Sequence, residues 1–435
     1  MTLETAGTAL TERDATWINA AAEKLNPSLL DLYRRLHAAP ELSLQEEMTS
    51  RLVAGELESS GFSVITGVGG HGVVGVMENG KGPVVMVRAD LDALPIEEQT
   101  RLPYASSARA ILPGKGEVGV MHACGHDIHM TVLAGAARLL MSLREQWRGT
   151  LVMVGQPAEE IGAGAGAMIE DGLFTRFPRP DCALALHVSP SLVAGQIGVR
   201  EGLFWAGCAS LDLLIRGVGG HGSRPQDTKD PVVMAAETIL LLQTIVSREI
   251  DPLEPAVLTI GSIHGGTKGN IIPEEVLLQL NYRYFTTETD RRIRLAIERI
   301  ARGVALAAGV PEDRMPLLSE QYAGAPVEND PALTRRMASA FSAVLGGDNV
   351  IPVERFTYSD DFSLFGRVQP RIPLCYFLLG TAAGGKKVRE DATSPGIHNP
   401  RFAPIAGPTI DTGVKAMTAA ALEALLGAAG PFNKP

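Results

Sequence analysis

Along the first two hundred residues, short unbroken apolar runs alternate with longer stretches in which apolar positions recur every three or four residues. "GVVGVME" and "GPVVMVRAD" read as two strands around a turn, with Asn79 to Lys81 between flanking glycines. "GTLVMVGQ" and "CALALHV" are further β-rich runs, whereas "HMTVLAGAARLLMSLREQ" and "GAGAMIEDGLF" carry helical spacing. "SLQEEMTSRLVAGELESSGF" opens on Ser43 with Glu46 three residues on, the pattern of a capping box, and reaches Gly61 as a helix stop. Strands alternating with helices predict an α/β layer with a mostly parallel sheet.

From about residue 207 the rhythm changes. "CASLDLLIRG" reads as a strand, "DPVVMAAETILLLQTIVSRE" as a helix, "AVLTIGSIHGG" and "EVLLQLNYRYF" as strands, "DRRIRLAIERIARGVALAAG" as a helix and "RMPLLSEQY" as a last strand. That βαββαβ order is the ferredoxin-like arrangement. A chain of 435 residues exceeds what one core usually organises. The expectation is therefore two domains: residues 1–205 with 322–435, and an inserted domain at 206–321.

Apolar residues make up 45% and charged residues 20%, which fits a globular protein able to bury large cores. The formal charge of −10 and the absence of a basic run argue against a nucleic-acid partner. The N-terminus lacks a basic start followed by an apolar stretch, and no segment has about 18 uncharged apolar residues in succession, so no membrane is expected and the cytoplasm is the expected location. Four scattered cysteines do not make a disulfide framework. Cys182, Cys208 and Cys375 lie in apolar strand-like runs and read as small core residues.

Cys124 is different. It stands in "HACGHDIH", which packs three of the nine histidines into eight positions. Cys124 and His126 suit metal ligation from an irregular loop, with Asp127, His122 and His129 available to orient ligands; the plainer reading is a polar turn around a buried thiol. "GQPAEEIGAG" carries Glu159 and Glu160 just after a strand, where adjacent glutamates can divide ligand and general-base duties, although such pairs are also common on surfaces. Asp90 and Asp92, two apart at a strand end, could face one site or simply be turn residues. His187 ends "CALALHV" and His398 lies in "GIHNP"; each gains meaning only if the fold brings it to the cluster. His37 and His71 have no assigned role. In the inserted region His221 and Asn270 sit among glycines, which let backbone approach a ligand closely, and "GGTKGN" lacks the spacing of a phosphate loop.

Taken in order, "RADLDALPI", "HACGHDIHM", "GQPAEE", "ALHV", "GGHGSRP", "GGTKGNIIP" and "GIHNP" resemble the amidohydrolase branch of the aminoacylase and carboxypeptidase metallopeptidase family. Its members include hippurate hydrolases, N-acyl-L-amino acid amidohydrolases and plant indole-acetyl-amino acid hydrolases. The likeness runs from about His37 to Phe402. It implies a catalytic domain with two divalent metal ions and a smaller lid domain through which chains dimerise. By the same resemblance Cys124, His126, Glu160, His187 and His398 would be ligands and Glu159 the general base. Asp92 would support the ligands, while Asp90, matched by a histidine in relatives outside this branch, is a poor ligand. His221 would reach the partner chain's site to stabilise the oxyanion, with Asn270 near the substrate carboxylate. Arg283 is a further candidate for that carboxylate.

The reaction so implied is hydrolysis of an N-acyl or N-aroyl amino acid, a small-molecule substrate. The mixed sulfur, nitrogen and oxygen donors admit zinc, manganese, cobalt or nickel. A dipeptidase or carboxypeptidase of the same family, a hydrolase with Cys124 as nucleophile, and a non-catalytic binding protein are the alternatives. "IGAGAGAM", "YSDDFS" and "NPRFAP" depart from the usual pattern at places near the substrate, and so bear on its identity.

Overall fold

An eight-stranded sheet forms the centre of the larger of two units in the computed structural model, which describes residues 8–384 and 395–427. Across the sheet the strands run Ser63–Val68, Gly72–Asn79, Gly149–Gln156, Val84–Asp90, Cys182–Val193, Leu374–Ala382, Ile197–Val199 and Val350–Pro352. The middle four are mutually parallel. They are nearly continuous apolar runs because both faces are covered. The helices Glu12–Ala38, His126–Ser142, Pro331–Leu345 and Ala406–Leu426 pack on one another and contribute Ile18, Leu29, Ile128, Phe341 and Val414 to the main core.

The two runs that the sequence places around a turn are not hydrogen-bonded neighbours. Gly149–Gln156 lies between them, antiparallel to Gly72–Asn79 and parallel to Val84–Asp90. Local pattern identifies strands, but partner choice is settled by chain segments far away. The parallel register sets Asp90 opposite Gln156. It thereby gathers Asp90 and the turn carrying Glu159 and Glu160 at the carboxyl ends of their strands, the customary place for an α/β site.

The second unit comprises Trp205–Val327 together with Arg355–Asp360, against the 206–321 expected from the sequence. Its antiparallel sheet has the order Val257–Gly265, Glu275–Tyr284, Gly207–Arg216, Leu317–Gly324. Leu211, Leu213 and Ile215 alternate with more exposed residues and meet Val276, Leu278, Leu280 and Tyr282 under the helices Pro231–Thr244 and Thr287–Ala307. Arg355–Asp360 has no period to betray it. It joins this unit through Ala206 N–H donating to Phe356 O at 3.1 Å and through Arg355 stacking 4.9 Å over the Phe285 ring.

Candidate metal centre

The "HACG" loop reaches its shape through Gly125, whose φ of +83° and position 2.5 Å from Val188 Cγ2, measured to an added Cβ, leave room for glycine alone. Cys124 ends in that loop, while His126 is the first residue of the helix His126–Ser142 rather than part of the loop. The His126 Nδ1–H donates to the Asp92 carbonyl at 2.8 Å, which leaves the Nε2 lone pair facing inward. His187 lies inside the strand Cys182–Val193 instead of ending it, and its Nδ1–H donates to Val188 O at 2.8 Å. Its Nε2 lies 3.3 Å from Cys124 Sγ. His398, at φ +62°, is anchored by its own N–H to Ala123 O at 2.8 Å. His398 Nε2 reaches to 3.2 Å from the same sulfur and 3.5 Å from Glu160 Oε2.

Five residues drawn from four separate stretches of the larger unit therefore converge. Cys124 belongs to two donor groups, Cys124–His126–His187 and Cys124–Glu160–His398, each with its ligand atoms within 4.8 Å of one another. Glu159 joins His126 and Glu160 in a third, with its Oε2 4.0 Å from His126 Nε2.

The donor chemistry fits divalent cations. His126 Nε2 and Glu160 Oε1 are buried with no hydrogen-bond partner, an expensive arrangement unless a cation takes both. Burial disfavours a charge on His126, yet Asp90, Asp92 and Glu160 outweigh it and raise its pKa to about 10. Burial, together with Glu160, Glu159 and Asp90, pushes the Cys124 thiol up. A cation between these groups would reverse both effects, releasing protons as it binds.

Around the donors lies a buried polar network. Asp90 accepts from His129 Nδ1 at 2.6 Å and from Arg88 at 2.8 Å. His129 Nε2 in turn accepts Val188 N–H at 3.0 Å, so neither ring nitrogen has a lone pair to offer a metal. Asp90, His126 and His129 also lie within ligand spacing, but this pairing commits His129 and both Asp90 oxygens elsewhere. Asp92 Oδ2 accepts from Ser43 Oγ at 2.6 Å and from the Glu160 N–H at 3.0 Å, tying the backbone of one candidate donor to the aspartate that holds another. Asp127 binds His37 at 2.7 Å, and the other His37 nitrogen binds Glu98 at 3.1 Å. Burial opposes a charge on His37, but the bonds to Asp127 and Glu98 prevail and raise its pKa to about 10. His122 is buried with neither ring nitrogen hydrogen-bonded, and His71 lies in the turn before Gly72–Asn79.

The expected capping box at Ser43 and Glu46 does not form. The helix begins at Glu47, and the Glu41 carboxylate takes the Met48 and Thr49 N–H groups instead, at 3.1 and 2.7 Å. Ser43 is thereby released to Asp92, and Glu46 accepts the Ala158 N–H at 2.7 Å. No local sequence signal distinguishes these roles, because both partners are remote in the chain.

In the second unit His221 and Asn270 come together. His221 pairs with Ile271 in a two-stranded ribbon, and Gly222 N–H donates to Asn270 O at 2.9 Å. His221 Nδ1 accepts from Ser223 N–H at 3.1 Å, which puts the ring proton on the exposed Nε2. Arg283, on the strand Glu275–Tyr284, is held by Asn281 Oδ1 at 3.1 Å and Ser359 Oγ at 2.6 Å.

Residues 86–423 match the model of peptidase family M20/M25/M40. The chain is 36% identical over 375 residues to IAA-amino acid hydrolase ILR1-like 4 of Arabidopsis thaliana, covering 86% of this chain and 80% of the plant protein. With N-acetyl-L-cysteine deacetylase of Bacillus subtilis it shares 34% over 363 residues, 82% of this chain and 81% of the other. Among solved structures, the Bacillus subtilis YXEP protein, a dinuclear metal-binding peptidase of the M20 family, superposes with a TM-score of 0.75 at 29% identity, covering 93% of this chain and 99% of that one. The chain belongs to peptidase family M20/M25/M40 and is a metal-dependent hydrolase of amide bonds.

Proposed function

We propose that this hydrolase cleaves the amide of N-acyl or N-aroyl amino acids, with Cys124, His126, Glu160, His187 and His398 holding two divalent cations. The observation that carries the reading is the sharing of Cys124 by two donor groups with Glu159 beside them. Cations held there supply Lewis acidity toward a water and toward the scissile carbonyl. Glu159 takes the proton from water and delivers it to the leaving nitrogen, while Asp92 orients His126 and the Glu160 backbone. His221, with its proton on Nε2, is the donor for the developing oxyanion in a partner chain's site, and Asn270 and Arg283 bind the substrate carboxylate. Zinc, manganese, cobalt and nickel all suit the donors. The four cysteines are buried and unpaired, which fits a reducing cytoplasm.

A second reading makes Cys124 the nucleophile, favoured by His187 and His398 within 3.3 Å of its sulfur. Three carboxylates oppose its thiolate, and Glu160 would then have no task. The test is a panel of N-acetyl, N-benzoyl and indole-acetyl amino acids and free dipeptides, assayed with each cation and after chelation. The acylated compounds should be cleaved, the rate should vanish with chelator and return with metal. Activity that survives chelation would establish the thiol mechanism, and preference for free dipeptides a dipeptidase.

Dimerisation through the second unit is part of the proposal. The helix Pro231–Thr244 turns Val232, Val233, Leu240 and Leu241 outward, and the strand Val257–Gly265 is an edge with Ile263 57% exposed. An apolar stripe beside an open strand edge is a surface that soluble monomers avoid. By length and hydropathy Pro231–Glu249 could cross a membrane. However, Met234, Ala235 and Leu242 bury its other face in the core of this unit. Sedimentation velocity should give a dimer at micromolar concentration; a monomer there would remove the partner role of His221.

A further inference from the structure

We propose that Glu46 is a positioning residue: its buried carboxylate holds Ala158 in the left-handed backbone conformation that aims Glu159 and Glu160 at the metal centre. This rests on the roles given to those two glutamates above. Glu46 is fully buried, and its Oε1 accepts the N–H of Ala158, itself fully buried, at 2.7 Å. Ala158 has φ +51°, a conformation unfavourable for any residue with a Cβ and sustained only by surrounding contacts.

Other contacts fix the far end of the turn. The Ala158 carbonyl accepts the Ala163 and Gly164 N–H groups at 3.0 and 3.2 Å, and Asp361 Oδ2 accepts Ala165 N–H at 2.9 Å. Gly164 packs so tightly that an added Cβ would lie 1.6 Å from Pro157 O. The near end depends on Glu46, reached from 112 residues earlier in the chain. Its neighbour Ser43 braces the same turn through Asp92, which accepts the Glu160 N–H.

Folding alone does not account for a carboxyl in this place. The helix it precedes is capped by Glu41, so Glu46 is not needed there. Its Oε2 is buried without a hydrogen-bond partner, and burial raises its pKa to about 6. The backbone of Leu44 and of Glu46 itself offsets part of this burial, yet a carboxyl with one oxygen left unsatisfied remains costly in a core. What it secures is the geometry of a donor and a base.

The test compares Glu46→Met, which has no acceptor for the amide, with Glu46→Gln, which keeps the carbonyl and loses the charge. Cobalt(II) is titrated into the chelator-stripped protein and followed by visible absorption, and kcat and KM are measured on the best substrate of the panel. Glu46→Met should weaken cobalt binding and lower kcat by about tenfold or more with KM little changed, while Glu46→Gln stays within about threefold of the parent in both. If Glu46→Met does not fold, Glu46→Asp replaces it, since the shorter side chain keeps the charge but not the reach. A Met variant equal to the parent overturns the proposal, as does a Gln variant as impaired as Met. Cobalt binding needs no substrate, so a parent that cleaves nothing in the panel defeats the functional reading while leaving the Glu46 result intact.

Discussion

Glu159→Gln should lower turnover by about 10³-fold or more while the metal content, measured by elemental analysis, stays at the parent level. The side chain is 10% exposed and borders the donor cluster, so a neutral isostere fits the same space without moving His126 or Glu160. In the mechanism proposed above, what the substitution removes is the ability to accept a proton from water and return it to the leaving nitrogen. General-base contributions are typically about 10² to 10⁴-fold. This one belongs at the upper end because neighbouring buried acids are already committed, Asp90 to Arg88 and His129, Asp92 to Ser43 and the Glu160 backbone, and Asp361 to Gln156 and the Ala165 N–H. Full activity in the variant would take the base away from Glu159. Parallel loss of metal and activity would instead make Glu159 a ligand.

How far the sequence could be read depended on the range over which each feature is decided. The parallel sheet and the βαββαβ order follow from periodicity within single segments, and so were legible. "HACGHDIH" and the glutamate pair were conspicuous because residue types costly to bury were concentrated in apolar surroundings. Strand neighbours were not legible: nothing in Gly72–Asn79 or Val84–Asp90 announces that Gly149–Gln156 will lie between them. The capping-box reading of Ser43 and Glu46 failed for the same reason. A local hydrogen bond competes with remote ones, and here Glu41 captured the helix N–H groups while Asp92 and Ala158 captured the two side chains. Arg88, which bridges Asp90, Gln156 and Asp361, carries no local sign of these partners, two of which lie far along the chain. Buried charge of this kind is expensive alone and stable only as a network.

Cys124→Ala should cost as much activity as Glu159→Gln, but with a different signature: metal should fall to less than one ion per chain. The sulfur is the one donor common to both groups, so its removal leaves His126 with His187 on one side and Glu160 with His398 on the other. Two donors hold a first-row divalent ion far more weakly than three, and the pairs lose the charge that offset their burial. Replacing the thiol by another anionic donor separates charge from softness. Cys124→Asp should recover metal content and part of the activity, with preference moving from zinc toward manganese, because a carboxylate favours harder cations than a thiolate does. The two variants also divide the mechanisms cleanly. If Cys124 were the nucleophile, alanine and aspartate would be equally inactive and both would keep the parent's metal content. A Cys124→Ala protein that retains two ions and full turnover would mean that the convergence of His187, His398 and Glu160 on this sulfur has another purpose altogether.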